Sequence, residues 1–463
     1  MTFGVFNVFR PLEPFSGAVG LSLAQKIAAL FKNNEQGALY DPSDLPTLYT
    51  QRTGTLTTQS TVGGPVGTML DKSGRGNHAA APSDAARPLL GREPEGGRRN
   101  LLLNTDLVSG GAAQSGASTD VVTEVTSPFG TASTRLVQLS DDSASRYQQV
   151  NAFSIVDGVR YTLSVYLKRK SGAQSVIFQI NNFASPPFGP VININLVTGV
   201  AVAPISGTTV SVEDVGDGWY RVSTSRVSNF TGNCGWQIIV TGASQAISLY
   251  AAGIQMEEVA TTPTPYQRVG ATALDVTEAG KRELYYLQFN GSTTVLQVNQ
   301  AFLRSGDGNL IVVGVRGAAQ SDRRIVAEGS SVSDNPIYSP IQSGVSANNS
   351  RYNSYMRGAG AVILGNTGDG PIVFNGSVAV ISAIDTKSSL NARINGGLFF
   401  QRPYTDETIA TDRFAVGALV RATVVSFFDG RIYGVVARAK LSTENELGAT
   451  EKYVAQKTGV TLP

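Results

Sequence analysis

The sequence contains very little histidine and cysteine, and this scarcity excludes several kinds of chemistry. Its 463 residues include one histidine, His78, and one cysteine, Cys234. A Ser-His-Asp triad would have to use His78, which lies in a glycine-rich segment, and the sequence has no Gly-x-Ser-x-Gly nucleophile elbow. One histidine and one cysteine are too few for a zinc site, and a single cysteine forms no intramolecular disulfide. Stability must therefore come from hydrophobic cores and subunit contacts.

Charge is also scarce. Charged residues make up 16% of the chain, against about 25% in ordinary globular proteins. Lysine and arginine number 37 and aspartate and glutamate 35, for a net charge of +2, so the broad basic face of a nucleic-acid-binding protein is not expected. The N-terminus lacks a signal-peptide pattern, and no apolar run approaches the roughly 18 residues of a membrane span. We expect neither nucleic-acid binding nor membrane insertion.

Motifs for cofactors are missing as well. The sequence has no Walker loop, no dinucleotide-binding fingerprint and no EF-hand loop, so no cofactor is expected and a structural calcium ion has no support. Paired carboxylates could serve glycoside hydrolysis, and the candidates are Asp141-Asp142, Asp214 with Asp217, and Glu257-Glu258. Adjacent strand residues face opposite sides, and turn formation explains Asp214 and Asp217 better. A non-enzymatic role is therefore favoured, with a glycoside hydrolase as the alternative.

Features that favour β-structure are abundant. The chain has 50 glycines and many serine, threonine, valine and asparagine residues, a composition typical of short strands joined by tight turns. Residues 159–167 alternate with period two, with Val159, Tyr161, Leu163, Val165 and Leu167 on one face. Similar segments recur about every ten residues, which predicts an all-β protein of antiparallel jelly-roll or β-sandwich type.

The N-terminal region is predicted to form an arm and one helix. Residues 1–15 favour an extended arm, and Ser22 with Gln25 has the spacing of a capping box at the start of an amphipathic helix that ends near Gly37. This helix must pack on the following domain or on copies of itself. We assign residues 1–40 to attachment or oligomerisation, and the glycine- and proline-rich residues 41–99 to an ordered neck or linker.

The rest of the chain is predicted to form two β domains, residues 100–268 and 269–463, with a boundary near the proline-rich residues 259–266. The motif Phe-Asn-Gly-Ser at residues 289–292 and 374–377 carries the Asn-Gly turn signal. A C-terminal helix should begin at a capping box formed by Thr443 and Glu446 and stop at Gly459.

Candidate sugar-binding residues are aromatic side chains with polar neighbours. A sugar ring can lie on an exposed aromatic ring while amides or guanidinium groups bind its hydroxyls. The candidates are Trp236 in the first β domain and Arg351, Tyr352, Asn353, Tyr355 and Arg357 in a polar segment. Core packing of the tryptophans and a solvated loop over residues 348–357 are the alternative interpretations. No catalytic residue and no metal ligand is assigned.

Five segments of the first β domain resemble a known family in order and spacing. They are Asn100-Leu-Leu-Leu-Asn104, Tyr161–Tyr166, Asp217-Gly-Trp-Tyr-Arg-Val222, Ala252–Glu258 and Thr264-Pro-Tyr266. Together they resemble the carbohydrate-binding-module-like jelly roll of phage and prophage tail and fibre proteins.

The second β domain is similar to concanavalin A-like, laminin-G-type domains of the same proteins. The resemblance rests on residues 289–292, 430–435, 441–442 and 451–460. The neck segments 40–45 and 69–78 also resemble phage-derived proteins of alphaproteobacteria, including the head-spike fibre of a gene transfer agent.

The resemblance implies a virion-surface spike or fibre that binds host capsular polysaccharide and promotes adsorption. It implies a homo-oligomer, trimer or pentamer, attached through residues 1–40 to other capsid or tail proteins. Assembly in the bacterial cytoplasm and release by lysis would agree with the absence of a signal peptide. A polysaccharide depolymerase and a purely structural decoration protein are the alternatives.

Overall fold

A computed structural model describes residues 22–181, 191–240, 246–258, 261–345, 348–365 and 370–463. The predicted arm at residues 1–15 therefore lies outside the described residues. About 48% of residues are in strands and 7% in helices, which confirms the predicted all-β class. The chain forms two compact units, and each is described by itself. Among the described residues, the terminal unit comprises residues 22–90 and those from 285 to 463, and the inserted unit comprises those from 91 to 284.

The elements before residue 91 are short. The first helix is α1 (Leu23–Ala29). The strands that follow are β1 (Gly37–Tyr40), β2 (Leu48–Tyr49), β3 (Thr68–Met69), β4 (Ala79–Ala80) and β5 (Leu89–Pro94).

Longer strands fill the next part of the chain, up to residue 284. They are β6 (Ala112–Gln114), β7 (Ser118–Val122), β8 (Thr134–Leu139), β9 (Arg146–Ile155), β10 (Arg160–Gly172), β11 (Ser175–Asn181), β12 (Val191–Asn195), β13 (Ala201–Val202), β14 (Thr209–Gly216), β15 (Trp219–Val227), β16 (Gly232–Val240), β17 (Ile247–Glu258), β18 (Gln267–Val269) and β19 (Val276–Glu278).

The final part returns to the terminal unit and ends in a helix. Its elements are β20 (Glu283–Asn290), β21 (Leu296–Val298), β22 (Asn309–Arg316), β23 (Arg324–Ser330), β24 (Ser333–Ser343), β25 (Tyr352–Arg357), β26 (Val362–Leu364), β27 (Val378–Asp385), β28 (Ser389–Ile394), β29 (Gly397–Pro403), β30 (Arg413–Val416), β31 (Leu419–Val420), β32 (Val424–Val425), β33 (Asp429–Arg438) and α2 (Glu444–Thr458).

Two large antiparallel sheets form most of the terminal unit, and β31 and β32 form a separate two-stranded sheet. One has the order β29-β28-β27-β22-β33-β20, and β1 also pairs with β33. The other has the order β2-β3-β4-β21-β30-β23-β24-β25-β26. Strand β22 shows how the sequence builds the layers. Ile311 and Val313 belong to one large core cluster, whereas Leu310 and Val312 belong to a second cluster with the helices, because successive strand residues point to opposite faces.

The helices complete the second of these cores. Ser22 and Gln25 form the predicted capping box, and Ile27 and Phe31 are buried in the cluster that also holds residues of α2. The helix ends at Ala29, earlier than predicted, and Gly37 instead opens β1. A Cβ atom at Gly37 would lie 2.2 Å from the Ala437 carbonyl oxygen, so strand pairing accounts for this glycine. The α1 helix is therefore built into its own chain's fold.

The predicted neck is part of a sandwich. Residues Gly37–Tyr40 pair with β33 in register Gly37 to Arg438, and β4 joins the second sheet through Ala80 and Gln297. The compact units divide after residues 90 and 284, whereas the predicted domain boundaries fall at 40, 99 and 268. Pairing with strands more than 200 residues away leaves no local signal in the sequence.

The Asn-Gly motif after β20 serves a turn other than a hairpin. Asn290 accepts hydrogen bonds through its Oδ1 atom from the backbone N–H groups of Ser292, Thr293 and Thr294. The turn leads from β20 in one sheet to β21 in the other, so it crosses the sandwich. At the far end of the chain, the capping box of Thr443 and the left-handed C-cap Gly459 (φ 72°) are confirmed.

The inserted unit is a second sandwich. Its sheets have the orders β14-β15-β10-β17-β8-β7 and β13-β12-β11-β16-β9-β6. The period-two face predicted for β10 is confirmed. Tyr161, Leu163, Val165 and Leu167 lie in the core between the sheets, and Val159 packs against it.

Candidate functional site

One concave surface of the inserted unit is a cleft of about 820 Å³. We call it the Tyr266 cleft. Its volume falls within the roughly 300–1,000 Å³ typical of ligand pockets. Its lining combines rings, prolines, hydroxyls and both signs of charge: Asp106, Pro128, Phe129, Thr131, Tyr166, Glu213, Val215, Arg221, Pro263, Pro265, Tyr266, Arg268, Thr277, Glu278, Ala279 and Glu283.

Strand alternation places the floor of this cleft. On β10, Leu163 and Val165 point into the core, so Tyr166 lies on the opposite face. Tyr166 pairs with Arg221 of β15, and Arg221 pairs with Glu213 of β14. The three side chains therefore form one row across three neighbouring strands.

Three aromatic rings form an apolar wall above that row. The Phe129 ring centroid lies 4.5 Å from that of Tyr266 and 5.8 Å from that of Tyr166, and the two tyrosines are 6.1 Å apart. Phe129 and Tyr266 are half-buried, so each leaves part of its ring open to solvent. Such partly exposed rings, flanked by the exposed Pro128 and Pro265, offer an apolar surface on which a sugar ring can lie.

A chain of ion pairs fixes Tyr266. Its hydroxyl donates to Asp106 at 2.9 Å, and Asp106 accepts from Arg268 at 2.7 Å. Arg268 reaches Asp275 at 2.8 Å, and Asp275 also binds Arg92 at 2.7 Å. Burial raises the pKa of Tyr266 well above its usual value, and Asp106 adds to this effect. The Tyr266 hydroxyl therefore stays protonated and acts as a donor, and the chain of ion pairs beside it holds it in place.

Arg221 is the least satisfied group of the cleft. It is 7% exposed and lies over the Tyr166 ring at 5.3 Å. One Nη atom donates to the Thr264 carbonyl at 2.7 Å, but the buried Nε atom has no partner among the described residues. Glu213 is exposed beside it. A ligand hydroxyl could accept from Arg221 and donate to Glu213, which is the pairing that polyhydroxylated ligands provide.

The other carboxylates of the cleft are occupied by arginines. Asp106 binds Arg268 at 2.7 Å, Glu278 binds Arg99 at 2.8 Å, and Glu283 binds Arg92 at 3.1 Å. A two-carboxylate glycosidase needs one protonated acid and one available carboxylate. Because arginines already engage these three carboxylates, the arrangement suits recognition better than acid catalysis. Among the described residues, no group of three or more metal-ligating side chains could hold a metal ion.

Three of the predicted sugar-binding residues lie in cores. Trp236 is fully buried, packs edge-on against Tyr147 at 5.2 Å and donates to Gln149 at 3.0 Å. Tyr352 is fully buried and donates to the Pro340 carbonyl at 2.7 Å, and Asn353 is 1% exposed. These three predictions are corrected: none of these side chains presents a surface to a sugar, because all three are buried.

The predicted loop at residues 348–357 also proves to be mainly a strand. Tyr355 and Arg357 lie on the outer face of β25 and line a separate pocket of about 230 Å³ in the terminal unit. Arg351 donates to the Gly370 carbonyl at 2.8 Å, a structural contact. The structure therefore brings two of the six predicted residues, Tyr355 and Arg357, to one concave site.

The carboxylates weighed for catalysis have structural duties. Asp142 accepts from the N–H of Ala144 at 2.8 Å, and Asp214 accepts from the N–H of Gly216 at 2.9 Å, both within turns. Glu257 is buried and accepts from the Thr264 backbone N–H at 3.0 Å. The imidazole of His78 accepts from the N–H of Asp71 at 3.0 Å. The sequence-based preference for turn duty at Asp214 is confirmed.

Sequence reasoning missed the Tyr266 cleft, although its signals were present. Arg221 follows Trp219 by two residues on a strand, so both share a face, and Tyr266 ends one of the quoted family motifs. Phe129 gave no signal, because it lies between strands and reaches Tyr266 only through the fold.

The chain can also be compared with known proteins. The sequence matches no protein-family model and no curated protein. Neither helix in the described part of the chain is long and apolar enough to cross a membrane.

Several solved structures resemble parts of the chain at low identity. The tandem CBM22 domain of Xyn10C from Paenibacillus barcinonensis is 10% identical over 74% of this chain and 98% of its own, with a TM-score of 0.25. Domain 4 of the arabinanase AbnA from Geobacillus stearothermophilus, solved with arabinotriose, is 14% identical over 42% and 82%, with a TM-score of 0.29.

A NanB sialidase from Streptococcus pneumoniae is 15% identical over 35% of this chain, which spans only 26% of the sialidase, with a TM-score of 0.28. All these TM-scores are low, so they assign the chain to none of these families, and its function must be argued from its own residues.

Proposed function

We propose that this chain is a glycan-binding adhesin of a phage-like particle, and that it binds host-cell polysaccharide in the Tyr266 cleft. The observation that carries glycan binding is the partly exposed Phe129–Tyr266 wall, which lines the same cleft as the under-bonded Arg221. An apolar wall opposite hydrogen-bonding groups matches a sugar ring, which has apolar C–H faces and an equatorial belt of hydroxyls. The particle role is supported by the resemblance of the sequence motifs to phage tail and spike proteins.

Binding of purified capsular polysaccharide tests the site. Phe129→Ala and Arg221→Gln should each weaken binding about tenfold or more, since each removes contacts worth on the order of 1–2 kcal/mol. Phe230→Ala is the matched control, because Phe230 is a half-buried phenylalanine of the same unit outside the cleft lining. Equal loss in all three variants would contradict the assignment.

The same assay separates binding from hydrolysis. The length of the polysaccharide after incubation should be unchanged, as expected of an adhesin. Shortening that disappears in Glu213→Gln would favour a depolymerase, because Glu213 is the cleft carboxylate without an ion pair among the described residues. Absence of any polysaccharide binding would favour a structural decoration protein.

Attachment to the particle is proposed to use residues 1–21 instead of residues 1–40. Residues 22–40 supply α1 and β1 to the terminal unit, so deleting them would damage the fold. Removal of residues 1–21 should abolish either the incorporation of the chain into particles or the formation of its trimer or pentamer. The purified truncated chain should keep the unfolding temperature of the full chain. Normal incorporation of that truncated chain would contradict this part of the proposal.

A further inference from the structure

A second concave site lies on the outer face of a sheet of the terminal unit. Its volume is about 230 Å³, which suits a single sugar residue or a small anion better than a drug-sized ligand. We call it the arginine pocket. Its lining is Asp322, Arg324, Ile337, Tyr355, Arg357, Leu419, Arg421, Val425 and Ser426.

The fold brings its three arginines together from separate segments. Arg324 lies at the start of β23 and Arg357 at the end of β25, two strands that flank β24. Arg421 lies in the turn between β31 and β32, a small hairpin whose residues Leu419 and Val425 pack beside this face. Local sequence therefore gives no sign of the cluster.

Each of these arginines has unused hydrogen-bonding capacity. The Nε atoms of Arg324, Arg357 and Arg421 are all buried without a hydrogen-bond partner among the described residues. Arg324 is only 4% exposed and lies over the Tyr355 ring at 5.8 Å. A buried, unsatisfied donor costs about 1–3 kcal/mol, and more when charged. The Nε atom of Arg421 lies 3.6 Å from Asp334, but those of Arg324 and Arg357 indicate an acceptor that the described residues do not supply.

Charge also points to an anion. The lining holds three arginines and one carboxylate, Asp322, which binds Arg324 at 2.6 Å. Arg421 has a second carboxylate nearby, since its Nε atom lies 3.6 Å from Asp334. Arg357 has no ion pair among the described residues. Burial lowers the pKa of Arg324 despite the attraction of Asp322, which reflects a positive charge that lacks full compensation.

From these observations we infer that the arginine pocket binds the carboxylate of an acidic sugar residue. Guanidinium groups bind carboxylates through paired N–H donors, and Tyr355 with the apolar Ile337, Leu419 and Val425 can contact the ring that carries the carboxylate. The inference deepens the proposed function. It rests on that function only in taking the ligand to be part of a polysaccharide. It predicts that the recognised polymer contains uronic or other acidic sugars.

Titration calorimetry of the full chain tests the pocket with three probes: glucuronate, glucose and sulfate. Glucuronate should bind and glucose should not, and added salt should weaken the binding. Arg357→Gln and Arg421→Gln should each weaken glucuronate binding about tenfold, because hydrogen bonds to a charged group contribute about 1.5–3 kcal/mol. Lys281→Gln is the control, since Lys281 is an exposed cation of the inserted unit.

Two results would overturn the inference. Unchanged glucuronate affinity in both arginine variants, with circular dichroism spectra like the parent, would exclude the pocket. Sulfate binding as tight as glucuronate binding would leave a small inorganic-anion site and exclude sugar recognition. Phe230→Ala should leave glucuronate binding unchanged. Loss of glucuronate binding in the arginine variants with polysaccharide binding retained in the Tyr266 cleft would separate the two sites, so failure of the cleft and failure of the arginine pocket give different results.

Discussion

Glu328 should make the terminal unit less stable as the pH rises towards neutrality. It lies on β23 with 1% of its surface exposed, and its Oε1 atom accepts from the backbone N–H groups of Phe302 at 2.6 Å and Leu303 at 2.7 Å. Burial raises its pKa from 4.5 to about 7, although these hydrogen bonds oppose the shift. The carboxyl group is therefore protonated in the folded chain at pH values where the unfolded chain has lost the proton.

The sign and size follow from proton linkage. The folded state holds more protons between pH 4.5 and about 7, so this contribution to stability is complete below about pH 4.5 and is lost as the pH rises through 7. At about 1.4 kcal/mol for each pKa unit, the total is about 3 kcal/mol. Glu328→Gln removes the titration and keeps an oxygen that can accept from both backbone N–H groups.

Hydrogen exchange of peptides from β23 and β30 reports on the terminal unit separately. Between about pH 5 and pH 8, the free energy of opening should fall by up to about 3 kcal/mol more in the wild type than in Glu328→Gln. Glu213→Gln is the control, because Glu213 is an exposed carboxylate of the inserted unit. A constant difference between wild type and Glu328→Gln across this range would refute the raised pKa.

Three further predictions concern stability. Asp41→Asn should lower the stability of the terminal unit at neutral pH by about 3 kcal/mol, because Lys457 loses its ion-pair partner. Part of this loss should vanish in acid, since Lys457 and other partners hold the pKa of Asp41 at about 2 despite burial. An equal loss at all pH values in urea titrations would contradict this prediction. Phe31→Ala should lower the free energy of unfolding by about 3–5 kcal/mol, because Phe31 is fully buried in the cluster that contains α1, α2 and strand residues. Calorimetry should show a lower unfolding temperature. An unchanged unfolding temperature would mean that α1 is not part of the core. Asn100→Ala should destabilise the inserted unit by about 3 kcal/mol or more, because Asn100 accepts from the N–H groups of Leu102 and Met256. Tryptophan fluorescence during unfolding checks this, since both tryptophans lie in that unit. An unchanged unfolding midpoint would contradict the prediction.

The strands were predictable where pattern and burial agree. The alternation at residues 159–167 identified the inward face of β10, and the two capping boxes located the helix starts at Ser22 and Thr443. These features depend on neighbouring residues in the sequence.

The sites could be predicted only in part. Tyr355 and Arg357 were predicted as binding residues and do line a pocket, whereas Trp236 and Tyr352 lie in cores. Local polarity around Tyr352 resembled a loop because the sequence does not reveal that β24 pairs along it. Arg324 and Arg421 join Arg357 only through the tertiary fold, as Phe129 joins Tyr266.

The most direct test of the central claim is binding of the purified chain to host cells with and without their capsular polysaccharide. We predict capsule-dependent binding that Phe129→Ala weakens about tenfold or more and Phe230→Ala retains. Equal binding to both cell types, or equal binding by the two variants, would contradict polysaccharide recognition in the Tyr266 cleft.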